Sequence, residues 1–366
     1  MAIGMEEEMI MDKIKLLDNN TMTEISDQKP FKILSIDGGG IRGIFPAKIL
    51  AELEAKLRSD GKKKWQIYQN FDLICGTSTG GILAIALSLG IPASELHDLY
   101  IQNAQSIFGQ KKNLIRQFRY AAYERDALEN LIRTKFSSIM KNKNDPRLKD
   151  CMVPICIPIY DLFNGQPSIL KNDYHPRFTR DFHIPAYKAA LATSAAPTYF
   201  SPYSSEYTDL HGLQKTFSNK VDGGIIANNP TLLGIIEAQE AFKQDLSNLR
   251  VLSLGTGHQK FSDGESRKKW GIWYWIRKDK KKRLIELFMQ GQSQIVENLI
   301  SLMQNGIDKE RVNNPSFTYK RINTELNDTL NIEMDETNVI KLKKLSERGS
   351  FEFNNHASEI IELFCK

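Results

Sequence analysis

Short apolar runs alternate with segments of helical periodicity in the first quarter of the chain. FKILSI (31–36) is apolar and followed by glycine, a pattern typical of a buried strand, and residues 44–58 then carry apolar side chains at helical spacing. FDLIC (71–75) and the apolar stretch 80–90 repeat the order of strand, turn and helix. Two such units predict parallel strands in a sheet that helices cover on both faces.

The same patterns extend the prediction over most of the chain. Further strands are predicted at 152–160, 217–222, 249–254 and 317–322. Further helices are predicted at 93–107, 124–137, 184–193, 231–243 and 282–305, with closing helices up to residue 366. We therefore expect three parts: a mobile leader (1–30) with one short helix at 6–17, a main α/β domain (31–257), and an α+β extension (258–366) packed on that domain.

Composition and the cysteines place the chain among ordinary globular proteins. Of 366 residues, 41% are hydrophobic and 25% are charged. The sequence contains no run of 18 apolar residues and no basic, apolar leader, so we expect a cytoplasmic protein. Its four cysteines, Cys75, Cys151, Cys156 and Cys365, show neither a disulfide framework nor the spacing of a metal site.

The positive charge is concentrated in a basic–aromatic run at 267–283, which holds nine Lys or Arg residues, one Asp and three of the four tryptophans. Such a run is compatible with three roles. It could dock on lipid headgroups, it could pack its tryptophans under the C-terminal helices with solvated lysines, or it could bind nucleotides or nucleic acid. The sequence leaves these interpretations open.

Ser78 lies in a G-x-S-x-G motif, Gly76 to Gly80, directly between a predicted strand and a predicted helix. This is the context of a nucleophile elbow, in which glycines allow the sharp turn that exposes a serine hydroxyl. A serine that merely caps the following helix is the alternative interpretation.

A glycine-rich loop, DGGGIRG, follows the first predicted strand. The N–H groups of Gly38, Gly39 and Gly40 are unobstructed by side chains and could converge on an oxyanion, while Arg42 could add a positive charge or hold the loop. The loop also matches the dinucleotide fingerprint G-x-G-x-x-G. That motif requires an acidic residue about 20 positions on at the end of a second strand, where this chain has a polar turn.

Asp222 follows another strand-like run and precedes Gly223 and Gly224. A carboxylate at a strand end beside two small residues can approach a serine closely enough to act as its general base. An Asp-Gly hairpin turn is the simpler interpretation of this motif alone.

Together these motifs resemble the patatin-like phospholipase family. Five blocks occur in the order of that family between residues 31 and 257: FKILSIDGGGIRG, FDLICGTSTGGILA, ATSAAPTYF, VDGGIIANNP and VLSLGTG. The resemblance implies a three-layer α/β/α sandwich with a mainly parallel central sheet, and hydrolysis of lipid acyl esters without a metal or cofactor.

Position by position, the resemblance makes Ser78 the nucleophile and Asp222 the base of a Ser–Asp dyad. Gly38, Gly39, Gly40 and Arg42 become the oxyanion loop, and Gly76, Gly80, Gly223 and Gly224 support the motifs. A Ser–Asp–His triad is the competing mechanism, since His258 follows Asp222 at a strand end.

Length and location also resemble those of cytoplasmic bacterial members of the family that cyclic dinucleotides activate in antiphage defence. The implied partners are membrane phospholipids at the inner face of the membrane and a cyclic-dinucleotide activator, with no nucleic acid. A homo-oligomer is left open. A catalytically silent binding module and a dinucleotide-dependent oxidoreductase are the alternatives from other functional classes.

Overall fold

The computed structural model describes residues 29–111, 120–259, 281–307, 311, 315–327 and 330–366. The helix expected at 6–17 lies outside these residues. The part of the basic–aromatic run from 267 to 280 also lies outside them. The last three residues of the run, 281–283, begin a helix. No helix in the described ranges is long and apolar enough to cross a membrane.

Eight strands form one sheet in the described part of the chain. They are β1 (Phe31–Ile36), β2 (Leu73–Gly76), β3 (Ile155–Asp161), β4 (Gln166–Lys171), β5 (Tyr203–Thr208), β6 (Gln214–Asp222), β7 (Leu249–Leu254) and β8 (Thr318–Ile322). Their order is β5-β6-β3-β2-β1-β7-β8, and β4 pairs with β3 off this path. The pairs β1–β2, β1–β7, β2–β3 and β7–β8 are parallel, whereas β4 and β6 run antiparallel to β3 and β5 runs antiparallel to β6.

Nine α-helices accompany the sheet over the same residues. They are α1 (Ile44–Ser59), α2 (Thr79–Ser88), α3 (Ala93–Phe108), α4 (Asp126–Ser137), α5 (Ala186–Thr193), α6 (Gly224–Ala227), α7 (Thr231–Phe242), α8 (Lys281–Asn305) and α9 (Val339–Phe364).

Alternate residues of β1 enter two separate hydrophobic cores, because successive side chains of a strand point to opposite faces. Leu34 and Ile36 belong to the larger core with α1 to α5 and α9, and Phe31 and Ile33 belong to the smaller one with α7 and α8. This arrangement confirms the predicted α/β/α sandwich with a mainly parallel central sheet.

The segment after Gly257 adds to the same sheet. Its strand β8 pairs in parallel with β7, and its last helix, α9, packs against α1. Asn338 caps α9 by accepting hydrogen bonds from the N–H groups of Ile340 and Lys341. The buried Lys32 of β1 donates to the carbonyl of Phe364 at 2.9 Å. The division of the chain at residue 257 into a domain and an extension stays a prediction.

Two strands, β4 and β5, were not predicted. Both form hairpins with neighbouring antiparallel strands, and most of their residues are exposed or only partly buried, so neither shows the apolar run of a buried strand. The turns carry the missed signals, since Gly165 and Gly212 adopt positive φ angles of 68° and 82° between the paired segments.

Substitution of Phe364 tests whether the last helix, α9, belongs to the larger hydrophobic core. Its ring is fully buried and stacks on Phe71 with centroids 5.7 Å apart, so Phe364→Ala should lower the free energy of unfolding by about 3–5 kcal/mol. The control is Phe351→Ala on the same helix, whose ring is 51% exposed and whose loss should cost less than about 1 kcal/mol. Equal effects of the two changes in urea unfolding would contradict a shared core.

Candidate active site

Ser78 occupies a strained turn between β2 and α2. Its backbone angles, φ 55° and ψ −121°, are rare for a residue with a side chain and cost about 1–3 kcal/mol. The turn packs against β1, since a Cβ on Gly80 would lie 2.2 Å from the carbonyl oxygen of Ile36. A Cβ on Gly76 would lie 2.1 Å from the carbonyl oxygen of Gly80. The two motif glycines therefore permit the conformation that presents the Ser78 hydroxyl.

The Ser78 hydroxyl donates a hydrogen bond to Asp222 Oδ2 at 2.6 Å, and both side chains are buried. The other carboxylate oxygen, Oδ1, accepts the N–H of Gly224 at 2.6 Å. Asp222 ends β6 and pairs with Ile159 of β3, which brings it to the edge of the sheet where Ser78 lies. Gly223 allows this approach, since a Cβ there would lie 2.1 Å from the carbonyl oxygen of Pro158.

Burial raises the pKa of Asp222 from its usual 3.8 to about 7, and the hydrogen bonds from Ser78 and Gly224 oppose this shift. Removing the carboxylate from water disfavours its charged form, and two donors only partly compensate. Near neutral pH the carboxyl group can therefore both accept and return a proton.

Thr193, at the end of α5, connects the Ser78 turn with the Asp222 segment and was not singled out from the sequence. Its hydroxyl oxygen accepts the N–H of Ser78 at 3.1 Å and donates to the carbonyl of Pro158 at 2.8 Å. Its carbonyl accepts the N–H of Gly223 at 3.2 Å. The signal lay in the ATSAAPTYF block, which the sequence analysis recognised without assigning a role to this threonine.

The glycine-rich loop lies beside Ser78, because a Cβ on Gly38 would lie 3.2 Å from the Cβ of Ser78. The N–H of Gly38 donates to the carbonyl of Asn228 at 3.0 Å. Among the described residues, the N–H groups of Gly39 and Gly40 meet no acceptor, so these two remain available to an oxyanion. Arg42 is buried and its Nε lies 3.4 Å from the carbonyl oxygen of Gly39, which is consistent with holding the loop.

Asp37, which precedes the loop, forms a buried ion pair with Arg321 of β8. Two guanidinium nitrogens of Arg321 donate to the two carboxylate oxygens of Asp37 at 3.0 and 2.6 Å, and one of them also donates to Ser253 of β7. The C-terminal segment thus fixes the residue from which the oxyanion loop begins. Sequence analysis did not identify Arg321, because 284 residues separate the two partners.

The alternatives to the dyad receive no geometric support. Asp222 contacts Ser78 directly, whereas the backbone of His258 pairs with that of Glu325, and His258 does not line the pocket that contains Ser78. The dinucleotide interpretation requires an acidic residue at the end of the second strand, but β2 ends at Gly76 and leads into the nucleophile turn.

Ser78 and Asp222 open into an apolar pocket of about 70 Å³. Its wall includes Ile82, Tyr100, Ile107, Phe108, Phe200 and Met334. Such a lining suits a hydrocarbon chain. Among the described residues there is no group of three or more His, Cys, Asp or Glu side chains arranged to hold a metal ion.

Comparison with known proteins identifies the family. The patatin-like phospholipase model matches residues 34–235. Patatin-like protein 2 of Arabidopsis thaliana is 33% identical over 76% of this chain and 73% of its own length. The cGAMP-activated phospholipases of Escherichia coli and Vibrio cholerae are 34% and 35% identical, over 68% and 63% of this chain and 70% and 65% of their own lengths. The chain belongs to the patatin-like phospholipase family and is a lipid acyl hydrolase.

The pKa of Asp222 predicts the pH profile of this hydrolase. If Asp222 is the general base that the sequence predicts, it must be ionised to act, so kcat/KM should rise with pH through an apparent pKa of about 7 and be lost below it. His258→Ala is the control and should keep the same inflection in a soluble-ester assay. An inflection near the usual aspartate value, or one that disappears in His258→Ala, would contradict the assignment.

Arg321 should contribute strongly to stability through its buried pair with Asp37. Arg321→Met leaves a buried carboxylate without its partner and should lower the free energy of unfolding by about 3–5 kcal/mol. The double change Asp37→Asn with Arg321→Met should recover much of this loss. Lys320→Met, which removes the more exposed pair with Glu359, should cost less than about 1 kcal/mol. A loss in Arg321→Met no larger than in Lys320→Met would contradict this role.

Proposed function

We propose that the chain hydrolyses acyl esters of phospholipids through Ser78 as nucleophile and Asp222 as general base. The observation that carries this proposal is the direct 2.6 Å hydrogen bond from the Ser78 hydroxyl to a buried carboxylate. No imidazole lies between the two groups, so the carboxylate itself takes the proton as Ser78 attacks the ester carbonyl.

The oxyanion that forms in this step is stabilised by the N–H groups of Gly39 and Gly40. Backbone donors held rigidly beside the nucleophile stabilise developing charge without reorganising during the reaction. Gly38 and Arg42 support the same loop. The N–H of Gly38 donates to the carbonyl of Asn228, and Arg42 Nε contacts the carbonyl oxygen of Gly39. Since these donors are neutral backbone groups, the mechanism needs neither a metal nor a cofactor.

The protonated Asp222 gives its proton to the oxygen of the leaving alcohol, and a water molecule then attacks the acyl-Ser78 ester. Asp222 accepts a proton from this water and returns it to Ser78 Oγ as the fatty acid departs. A carboxyl group with a pKa of about 7 suits both directions of transfer. The apolar pocket beside Ser78 receives the acyl chain, which favours lipid esters over small hydrophilic ones.

The proposal extends to regulation and location. Two bacterial relatives are phospholipases activated by cGAMP, and we propose the same kind of activation by a cyclic dinucleotide here, in antiphage defence. The enzyme would act on phospholipids as a peripheral protein at the inner face of the membrane. The basic–aromatic run is a candidate for binding to lipid headgroups, and most of it lies outside the described residues.

The dyad is tested by single substitutions. Ser78→Ala and Asp222→Asn should each lower kcat on phospholipid by about 10³-fold or more, and the double variant should be little worse, because members of one catalytic unit are not additive. Ser88→Ala, a buried serine of α2 away from the pocket, is the control and should keep full activity. Substantial turnover by Ser78→Ala would exclude it as nucleophile.

Activation is tested with the purified chain on phospholipid vesicles. Adding cyclic GMP–AMP should raise the rate of fatty-acid release by at least about tenfold, a common size for allosteric coupling. An equimolar mixture of GMP and AMP is the matched control and should have no effect. Equal rates with and without the cyclic dinucleotide would contradict this part of the proposal and leave the dyad untouched.

A further inference from the structure

A second and larger cavity lies on the other side of the oxyanion loop from the apolar pocket. It measures about 260 Å³ and is bounded by the loop, by the segments that follow β7 and β8, and by α8. Its wall is polar and includes the amides of Asn228, Gln294, Asn298 and Asn323. The mechanism described above uses none of these four side chains.

The polar cavity and the apolar pocket are neighbours, and Ser78 itself lines only the apolar pocket. Met289 of α8 lines both of them, and Gly38, which lines the polar cavity, lies against Ser78. Asn228 joins the two regions, since its carbonyl accepts the Gly38 N–H and its side-chain amide donates to Ser293 of α8 at 3.0 Å. A molecule with one apolar and one polar half would therefore place these halves in two neighbouring sites, with Ser78 at the apolar one.

Helix α8 directs an extended polar stripe into this cavity. Gln290, Ser293, Gln294, Glu297 and Asn298 all line it, and their spacing of three and four residues places them on one helical face.

The same helix leaves large apolar side chains in solvent. Phe288, Ile295 and Leu299 are 63%, 61% and 44% exposed. Helix α8 also buries Met289 and Ile300 in the two hydrophobic cores, but its polar stripe faces a cavity in place of open solvent, which indicates a polar ligand there.

Three buried polar atoms on the wall of this cavity have no hydrogen-bond partner among the described residues: Asn228 Oδ1, His258 Nδ1 and Arg321 Nε. Arg321 Nε forms an ion pair with a carboxylate oxygen of Glu297 at 3.7 Å, which is longer than a hydrogen bond. Buried polar groups are normally satisfied, and leaving one unpaired costs about as much as a lost hydrogen bond. Asn228 Oδ1 requires a donor, so the complementary ligand carries a hydroxyl or another donor, as a glycerol phosphate with hydroxyl groups does.

We propose that the polar cavity binds the glycerophosphate half of the substrate, the alcohol that leaves, while the apolar pocket binds the acyl chain that Ser78 takes. This inference rests on the proposed phospholipase function. In the step concerned, Ser78 Oγ bonds to the carbonyl carbon and the bond from that carbon to the glycerol oxygen breaks. The glycerol oxygen keeps the electron pair and receives the proton that Asp222 took from Ser78. The lysophospholipid then lies in the polar cavity.

The test removes polar groups from α8 and compares two substrates with the same acyl chain. Gln294→Leu with Asn298→Leu should lower kcat/KM on monomeric dihexanoyl phosphatidylglycerol by about tenfold, equivalent to one or two lost hydrogen bonds. On p-nitrophenyl hexanoate, which lacks glycerophosphate, kcat/KM should change less than about twofold. Both assays include saturating cyclic GMP–AMP. Ser301→Leu is the matched control, because this exposed residue of α8 lies one turn further on and outside the cavity.

A soluble competitor gives an independent measure. Glycerophosphoglycerol should inhibit ester hydrolysis by the wild-type chain, and its Ki should rise by about tenfold in the double variant.

The outcomes separate this inference from the phospholipase proposal. Equal losses on both substrates, or no loss on either, would overturn the assignment of the cavity to the leaving alcohol. A double variant that keeps its phospholipid kinetics and loses only its response to cyclic GMP–AMP would overturn it too, by assigning the cavity to the activator. A wild-type chain that cleaves the p-nitrophenyl ester but no phospholipid would refute the phospholipase proposal itself.

Discussion

The parallel pairing of β1 with β2 is the constraint on which the active site depends. Ile36 lies opposite Gly76, so the chain leaves both strands at the same edge of the sheet, once into the glycine-rich loop and once into the nucleophile turn. Parallel strands present their carboxyl ends together, and active sites of open α/β sheets form there for this reason. Asp222 reaches this edge through the antiparallel pairing of β6 with β3. The direct contact between Ser78 and Asp222 therefore depends on strand order and register.

The sequence revealed those parts of the fold and site that local pattern determines. Strands β1 and β7 were predicted to the residue because buried parallel strands are continuous apolar runs. Ser78 and Asp222 were singled out because glycines surround them, and the structure brings the two side chains into contact, while a Cβ on Gly80 or Gly223 would collide with a backbone carbonyl. The hairpin strands β4 and β5 escaped because exposed strands lack that run and can be inferred only from their turns.

Residues that act across long sequence separations could not be found in this way. In the sequence, Arg321 is one more charged residue in a short predicted strand. Only the pairing of β8 with β7 places it beside Asp37. The sequence places Thr193 in a helix of small residues and gives it no role. The structure shows that its hydroxyl accepts a hydrogen bond from the N–H of Ser78 and donates one to the carbonyl of Pro158. A helix at 282–305 was predicted from its periodicity and is observed at Lys281–Asn305, but periodicity alone could not show that its polar face lines a cavity.

Burial of Asp222 explains how a carboxylate can replace histidine as the base in the proposed mechanism. An exposed aspartate, with a pKa near 3.8, is too weak a base to draw a proton efficiently from a serine hydroxyl at neutral pH. Desolvation raises the pKa to about 7, close to the ordinary value for histidine, while the donors Ser78 and Gly224 limit the shift. A shift of this size destabilises the ionised fold relative to an exposed carboxylate, and the strained backbone of Ser78 adds a further cost. The two buried cores on either side of the sheet offset that cost, so the same α/β/α packing that stabilises the fold also permits the reactive site.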